Sequence, residues 1–279
     1  MKSSIINHQS SIHRVGVFDS GLGGLTVLSA LMDTIKGAEF YYVADTKNAP
    51  YGEKTPEEIL QYSLDITDHF ISHHQIDALV VACNTATSAA IATLRERYPS
   101  LIIVGTEPAI KPAIEWTKSG AVGVLATPAT LKGDKYQKLA DTLMNQKTVK
   151  LYEQACPGLV EHIENGTLHT SESRSLLQQW LAPMKEGGVD TIVLGCTHYP
   201  LAKAAIETVI GNEVKFLDAG EAIAKRLLNL LEERGHQNSG KTEVHIYATG
   251  KIDEKVVKHL ISKPITLTKV TIDPKIPNS

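Results

Sequence analysis

Cysteine is scarce here: 279 residues carry three thiols, an odd number. A chain of this length builds a core without staples, so a disulfide framework is excluded and reduced thiols are expected. Long apolar runs are missing too. No stretch approaches the ~20 residues that span a bilayer. The opening segment MKSSIINHQSSIHR lacks the continuous apolar region of a secretion signal. Strong charge of either sign is also absent. The formal net charge is −3, and no basic stretch offers a footprint for nucleic acid. Low-complexity tracts and short repeats do not occur. These absences leave a soluble, cytoplasmic protein with no membrane and no nucleic-acid partner. Its 42% hydrophobic content is enough for a real core. The length suits one large domain or two ordinary ones.

Strand-like and helix-like segments alternate throughout. Strands are expected at HRVGVF, EFYYVAD, ALVVAC, LIIVG, AVGVLAT, TVKLYEQ, TIVLGC, VKFLD, EVHIYAT and TLTKVTI. Several are continuous apolar runs, as parallel strands buried on both faces should be. Thr55-Pro56-Glu57-Glu58 reads as a capping box with proline at the first helical position. The helix it opens places Ile59, Tyr62, Ile66, Phe70 and Ile71 on one face. AGEAIAKRLLNLLEERGH is a second helix, ended by Gly235. The first ~14 residues read as a frayed extension. This alternation implies α/β layers around parallel sheet. A faint long-range echo accompanies it. Gly16-Val17-Phe18-Asp19-Ser20 resembles Gly123-Val124-Leu125-Ala126-Thr127, and Cys83 and Cys196 end similar strands at nearly the same offset. Two similar α/β halves, or a chance match of apolar strings, would both produce it.

Ligands of open α/β sheets bind beyond the carboxyl ends of the strands. DSGLGG stands at the first such end. It is not a dinucleotide fingerprint, because Leu25, Thr26 and Val27 follow the glycines, and no P-loop lysine is present. Beside Asp19 and Ser20, it reads as a tight turn whose free N–H groups hold a carboxylate. Asp45, then Pro50-Tyr51-Gly52, follow the second strand. Cys83-Asn84-Thr85 follow the third. Thr127 and Thr130 follow AVGVLAT, and Thr197 and His198 follow TIVLGC.

Cys83 ends a strand and precedes a helix, a setting that favours thiolate. Cys196 has the same placement, with His198 two residues on. Cys156, in QACPG, reads as structural. His73 and His74 fit a helix end, where positive charge suits the dipole. No metal is expected: Cys196-x-His198 is not a zinc spacing, and no C-x-x-C occurs. A Cys–His hydrolase leaves one thiol unexplained. Two matched thiols do suit one task. One removes the α-proton of a small zwitterion while the other delivers a proton to the opposite face, inverting the centre. Ser20, Asn84, Thr85 and Thr197 are suitable donors to the substrate carboxylate. The residues alone support a two-thiol isomerase or a binder of small acids.

GVFDSGLGGLTVL, YVADTKNAPYGEKT, VVACNTATSAA, ATPATL, QACPGLVEHIENG and GCTHYPL, in this order, resemble the glutamate racemase family. These are cofactor-independent isomerases that supply D-glutamate for peptidoglycan. The resemblance runs from Val15 to beyond DAGEAIA at 218–224. It implies two pseudo-symmetric flavodoxin-like α/β domains, mainly parallel, with the active site in the cleft between them. The first would hold 1–107 plus 218–279, and the second 108–217. It also implies that Cys83 takes the proton from D-glutamate and Cys196 from L-glutamate. Asp19 and His198 would assist the first and second thiol, with Glu164 a further helper. Substrate contacts would come from Asp19-Ser20, Tyr51-Gly52, Asn84-Thr85, Thr130 and Thr197-His198. No cofactor is implied, and a homodimer is. A racemase for aspartate or a related acidic amino acid, or a silent glutamate-binding protein, are the alternatives. One departure stands out: Gly158 and the polar pair Glu161-His162 fall where apolar residues are expected.

Overall fold

A computed structural model describes residues 13–146, 149–252, 257, 261, 266–270 and 272. The frayed extension assigned to the N-terminus falls almost wholly outside them. Each expected strand is present: β1 (Arg14–Asp19), β2 (Glu39–Ala44), β3 (Ala78–Val81), β4 (Ile102–Gly105), β5 (Ala121–Ala126), β6 (Lys150–Ala155), β7 (Thr191–Leu194), β8 (Lys215–Leu217), β9 (Glu243–Ala248) and β10 (Thr266–Lys269). The helices between them are α1 (Leu25–Thr34), α2 (Pro56–His74), α3 (Asn84–Arg97), α4 (Ile110–Trp116), α5 (Pro128–Lys132), α6 (Asp134–Gln146), α7 (Leu159–Glu164), α8 (Ser171–Glu186), α9 (Lys203–Ile210) and α10 (Gly220–Glu232). Thr55 caps α2 as the sequence requires, with the reciprocal bonds between Thr55 and Glu58 both made. Gly235, beyond α10, has a φ of 90°.

The strands form two sheets, ordered β10-β9-β2-β1-β3-β4 and β6-β5-β7-β8. Every strand pair is parallel. Parallel pairing needs helical crossovers, which cover both faces and bury the strands. In the first sheet, Val15, Val17 and Phe40 pack towards α1 and α10. Phe18, Val43 and Leu79 pack towards α2 and α3 on the other side. In the second sheet, Leu125 and Ile192 face α8 and α9, while Val122 and Val124 face α4 and α6.

The sequence echo has a structural counterpart. The order β2-β1-β3-β4 matches β6-β5-β7-β8 strand for strand. The echoing segments are therefore β1 and β5, and the two cysteines follow β3 and β7. In each sheet these two strands are neighbours, with Val17 opposite Val80 and Val124 opposite Val193. The strand order reverses there, which is where α/β sheets open a crevice. Gly16 and Gly123 also share a reason. A Cβ at Gly16 would lie 2.9 Å from the Phe70 ring, and one at Gly123 would lie 2.7 Å from the Met184 sulfur.

The histidines at the end of α2 are not simply a cationic helix terminus. His74 stacks on Tyr41 with ring centroids 4.1 Å apart, and His69 stacks on His73 at 4.3 Å. Burial, then His73 and His245, lowers the basicity of His74. Burial, then His73 and His74, pushes His69 down to about 4. The charge expected of His74 is thus opposed by its packing. Below the ordinary histidine value of 6.5, the unfolded chain binds protons that folded His69 refuses. Stability should therefore fall as pH drops from about 6.5 towards 4. Melting curves across this range should show it, and His69→Gln should flatten the slope. An unaltered slope in that variant contradicts the assignment.

Candidate active site

The carboxyl ends of the two sheets meet at a cavity of about 90 Å³. That is room for a handful of waters or one small acid. Cys83 reaches it from the first sheet and Cys196 from the second. Both are free and buried.

Cys83 caps α3. Its sulfur accepts the Ala86 N–H at 3.4 Å, and its thiol points to Ser20 Oγ at 3.9 Å. The expectation of a resting thiolate fails here. Burial pushes the thiol up to about 12, the Asp19 charge adds to this, and the Ala86 N–H only partly opposes it. Cys196 also departs from expectation. After β7 and Gly195 the chain enters a 3-10 turn at Tyr199–Ala202, so no α-helix begins at this cysteine. Its polar neighbour is His198, with Nδ1 3.9 Å from the sulfur.

His198 is buried and held on both sides. Its Nε2 lies 3.0 Å from Glu164 Oε1 and 3.2 Å from the Gly23 backbone nitrogen. One ring nitrogen serves only one of these at a time. It accepts from Gly23 when bare and donates to Glu164 when protonated. Burial disfavours the cation. Bonds to Cys196 and Glu164 outweigh this and hold His198 well above the ordinary imidazole range.

Two amides of the glycine turn meet protein partners: Gly21 N–H donates to Asp19 Oδ1 at 2.8 Å, and Gly23 N–H donates to His198 Nε2 when that nitrogen is bare. Tyr42 holds the turn from below, donating its buried hydroxyl to Gly21 O at 2.8 Å. Asp19 is fully buried and is not part of the cavity wall. Its Oδ2 accepts the Thr197 hydroxyl at 2.9 Å. Glu164 is not in the wall either; its side chain is partly exposed to solvent.

The remaining sequence candidates line the cavity: Ser20, Tyr51, Gly52, Asn84, Thr85, Thr130, Thr197 and His198. Tyr51 is fixed by its hydroxyl, which donates to buried Asp45 at 2.6 Å. Asn84 Oδ1 is buried and lacks a hydrogen-bond partner within the described residues, an acceptor awaiting a donor. Thr127, placed at a strand end by the sequence but not among the substrate contacts the family implied, belongs here too. Its hydroxyl lies 3.1 Å from that of Thr85 and 2.9 Å from that of Thr130. The echo carried the signal, since Thr127 occupies the place of Ser20. Cys156 also lines the cavity, although its thiol is pushed up to about 12 by burial.

Among the described residues, one His/Cys/Asp/Glu group is compact enough for a metal: Glu39, Glu243 and His245, on β2 and β9. It lies outside the cavity wall, and Arg14 and Lys241 already pair its carboxylates at 3.4 and 2.8 Å. No described helix is long and apolar enough to cross a membrane.

Two thiols converging from matched sheets define a class of protein, and the sequence agrees. Residues 25–227 match the Asp/Glu/Hydantoin racemase model, and the chain belongs to that family. Within the family it takes its place among the glutamate racemases. That of Sulfurovum sp. (strain NBC37-1) is 62% identical, over 89% of this chain and 94% of its own. That of Aliarcobacter butzleri (strain RM4018) is 53% identical, over 93% and 100%. The crystal structure of a glutamate racemase isoform from Bacillus anthracis superposes with a TM-score of 0.83 at 31% identity, covering 93% of this chain and 98% of that one.

A Cβ at Gly23 would lie 2.4 Å from His198 Nδ1. Gly23→Ala must therefore displace the imidazole. It should lower kcat for racemisation by about 10²-fold, the usual cost of misplacing a reacting group, while Tm moves by only a few degrees. A kcat near that of the parent would show that the ring position is not critical.

Proposed function

We propose that this chain interconverts L- and D-glutamate by moving the α-proton between Cys83 and Cys196, with no added cofactor. One observation carries this reading. Two buried thiols line one cavity, each beyond the carboxyl end of an equivalent strand in two matched sheets. The relatives named glutamate racemases support glutamate as the substrate.

The resting state suits one direction of attack. Cys83 rests as a thiol, because burial and Asp19 oppose its anion. His198, readily protonated, sets a positive charge 3.9 Å from the Cys196 sulfur. Cys196 then takes the α-proton of L-glutamate, and Cys83 delivers its own proton to the opposite face. The product is D-glutamate, and the two sulfurs have exchanged protonation states. D-glutamate runs the same steps backwards from Cys83. Glu164 steadies the His198 cation through Nε2. Asp19 anchors the Thr197 side of the site rather than touching the cavity in this state.

The α-proton is weakly acidic, so charge growing on the carboxylate needs donors in place beforehand. Ser20, Thr85, Thr127 and Thr130 bring hydroxyls to the cavity, while the Thr197 hydroxyl already donates to Asp19. Asn84 Oδ1, unpartnered, fits the substrate ammonium. The Tyr51–Gly52 backbone closes one side. We assign 1–107 plus 218–279 to one domain and 108–217 to the other. Sheet membership supports this, because β8 ends the second sheet at Leu217 and β9 rejoins β2. A cytoplasmic homodimer that feeds D-glutamate to peptidoglycan synthesis follows from the family resemblance.

Cys83→Ser and Cys196→Ser test the roles, with optical rotation of L-glutamate as the readout. Each should lose racemisation by at least about 10³-fold, as loss of an essential acid–base group implies. Racemisation at the parental rate in either variant rejects the assignment.

A further inference from the structure

The cavity is lined for an anion, yet His198 is its only side chain able to carry positive charge. Two of its other wall residues are acids. Glu53 ends the 3-10 turn Tyr51–Glu53 on the first half, and Glu161 lies in α7 on the second. They border the cavity from opposite sides of the cleft. Neither has an ion-pair partner among the described residues. His162, next to Glu161, bonds to Thr167 at 2.9 Å.

The neutral donors of the wall read carboxylates. A five-carbon dicarboxylate with no amino group, such as glutarate, offers them the same two carboxylates as glutamate. Asn84 Oδ1 separates the two ligands through the ammonium it accepts from. Net charge separates them further. Glutamate keeps an ammonium and one net negative charge, whereas glutarate has two. We infer that Glu53 and Glu161 are specificity residues that make this cavity prefer amino dicarboxylates over dicarboxylates lacking the ammonium. They repel each ligand in proportion to its net charge. The inference rests on the glutamate reading of the site and adds the means by which isosteric acids are kept out.

A unit charge about 10 Å away, at an effective dielectric of about 40 to 80, changes affinity by about two- to fourfold. Calorimetry on the reduced protein gives the Kd of glutamate and of glutarate for the parent, Glu53→Gln, Glu161→Gln and the double variant. Each single change should lower the glutarate Kd relative to the glutamate Kd by about two- to fourfold, and the double by roughly the product. In about 1 M salt, where the screening length falls to about 3 Å, the shift should largely vanish. A ratio that stays at the parental value overturns the inference. So does an equal gain for both ligands, or a shift that survives high salt, because neither is a charge effect. Matched melting temperatures show that the variants are folded. Rotation of L-glutamate by the parent, followed in parallel, tests the underlying reading separately. A parent that binds glutamate without racemising it overturns that reading and leaves the Kd ratio to judge the wall acids.

Discussion

A buried hydrogen bond, from the Thr197 hydroxyl to Asp19, joins the carboxyl end of one sheet to that of the other. The Gly23 N–H to His198 contact lies beside it, and Thr26 donates to Thr197 O at 3.2 Å. Together these fix how the two halves face each other at the cleft. Each thiol is held by its own sheet, and these bonds, with those of Thr85 to Thr127 and Thr130, span the cleft around their common cavity. Asp19 is therefore worth more as a buried anchor than its place at the head of DSGLGG suggested. Its carboxylate oxygens are both occupied, one by its own turn and one by the other half. An unpaired buried carboxylate would be costly, and these donors offset that cost.

The same closeness governs the chemistry. Away from water, a thiolate is stable only where a donor or cation meets it. Asp19 and Cys196 both raise Cys83, so negative charge on one sulfur opposes charge on the other. The site thus favours one thiolate at a time. A two-base exchange requires that distribution, with one group ready to accept a proton and its opposite ready to give one. The supports are asymmetric, with a helix cap at Cys83 and a histidine–carboxylate pair at Cys196.

Much of this was legible in the sequence, for a physical reason. Parallel strands buried on both faces write themselves as apolar runs, so VVAC and TIVLGC were visible as strands ending in thiols. The echo of β1 in β5 correctly foreshadowed matched topologies. What stayed hidden was set by partners distant along the chain. Gly23 and His198 lie 175 positions apart, and nothing local in DSGLGG shows that the Gly23 amide meets that ring. Burial hid the state of Cys83 in the same way. Its helix cap is a local feature that favours thiolate, but the dry surroundings and Asp19 win. The family pattern implied Asp19 as a substrate contact, whereas the fold seals it behind the wall.

The account stands on two bases acting from opposite faces. The direct test is early isotope incorporation, starting from L-glutamate in D₂O and stopping after a small fraction has converted. Two thiols predict that D-glutamate carries deuterium at the α-carbon while recovered L-glutamate remains protiated. Comparable deuterium in the recovered L-glutamate would mean that one group exchanges its proton and serves both faces, and the two-thiol account would be wrong.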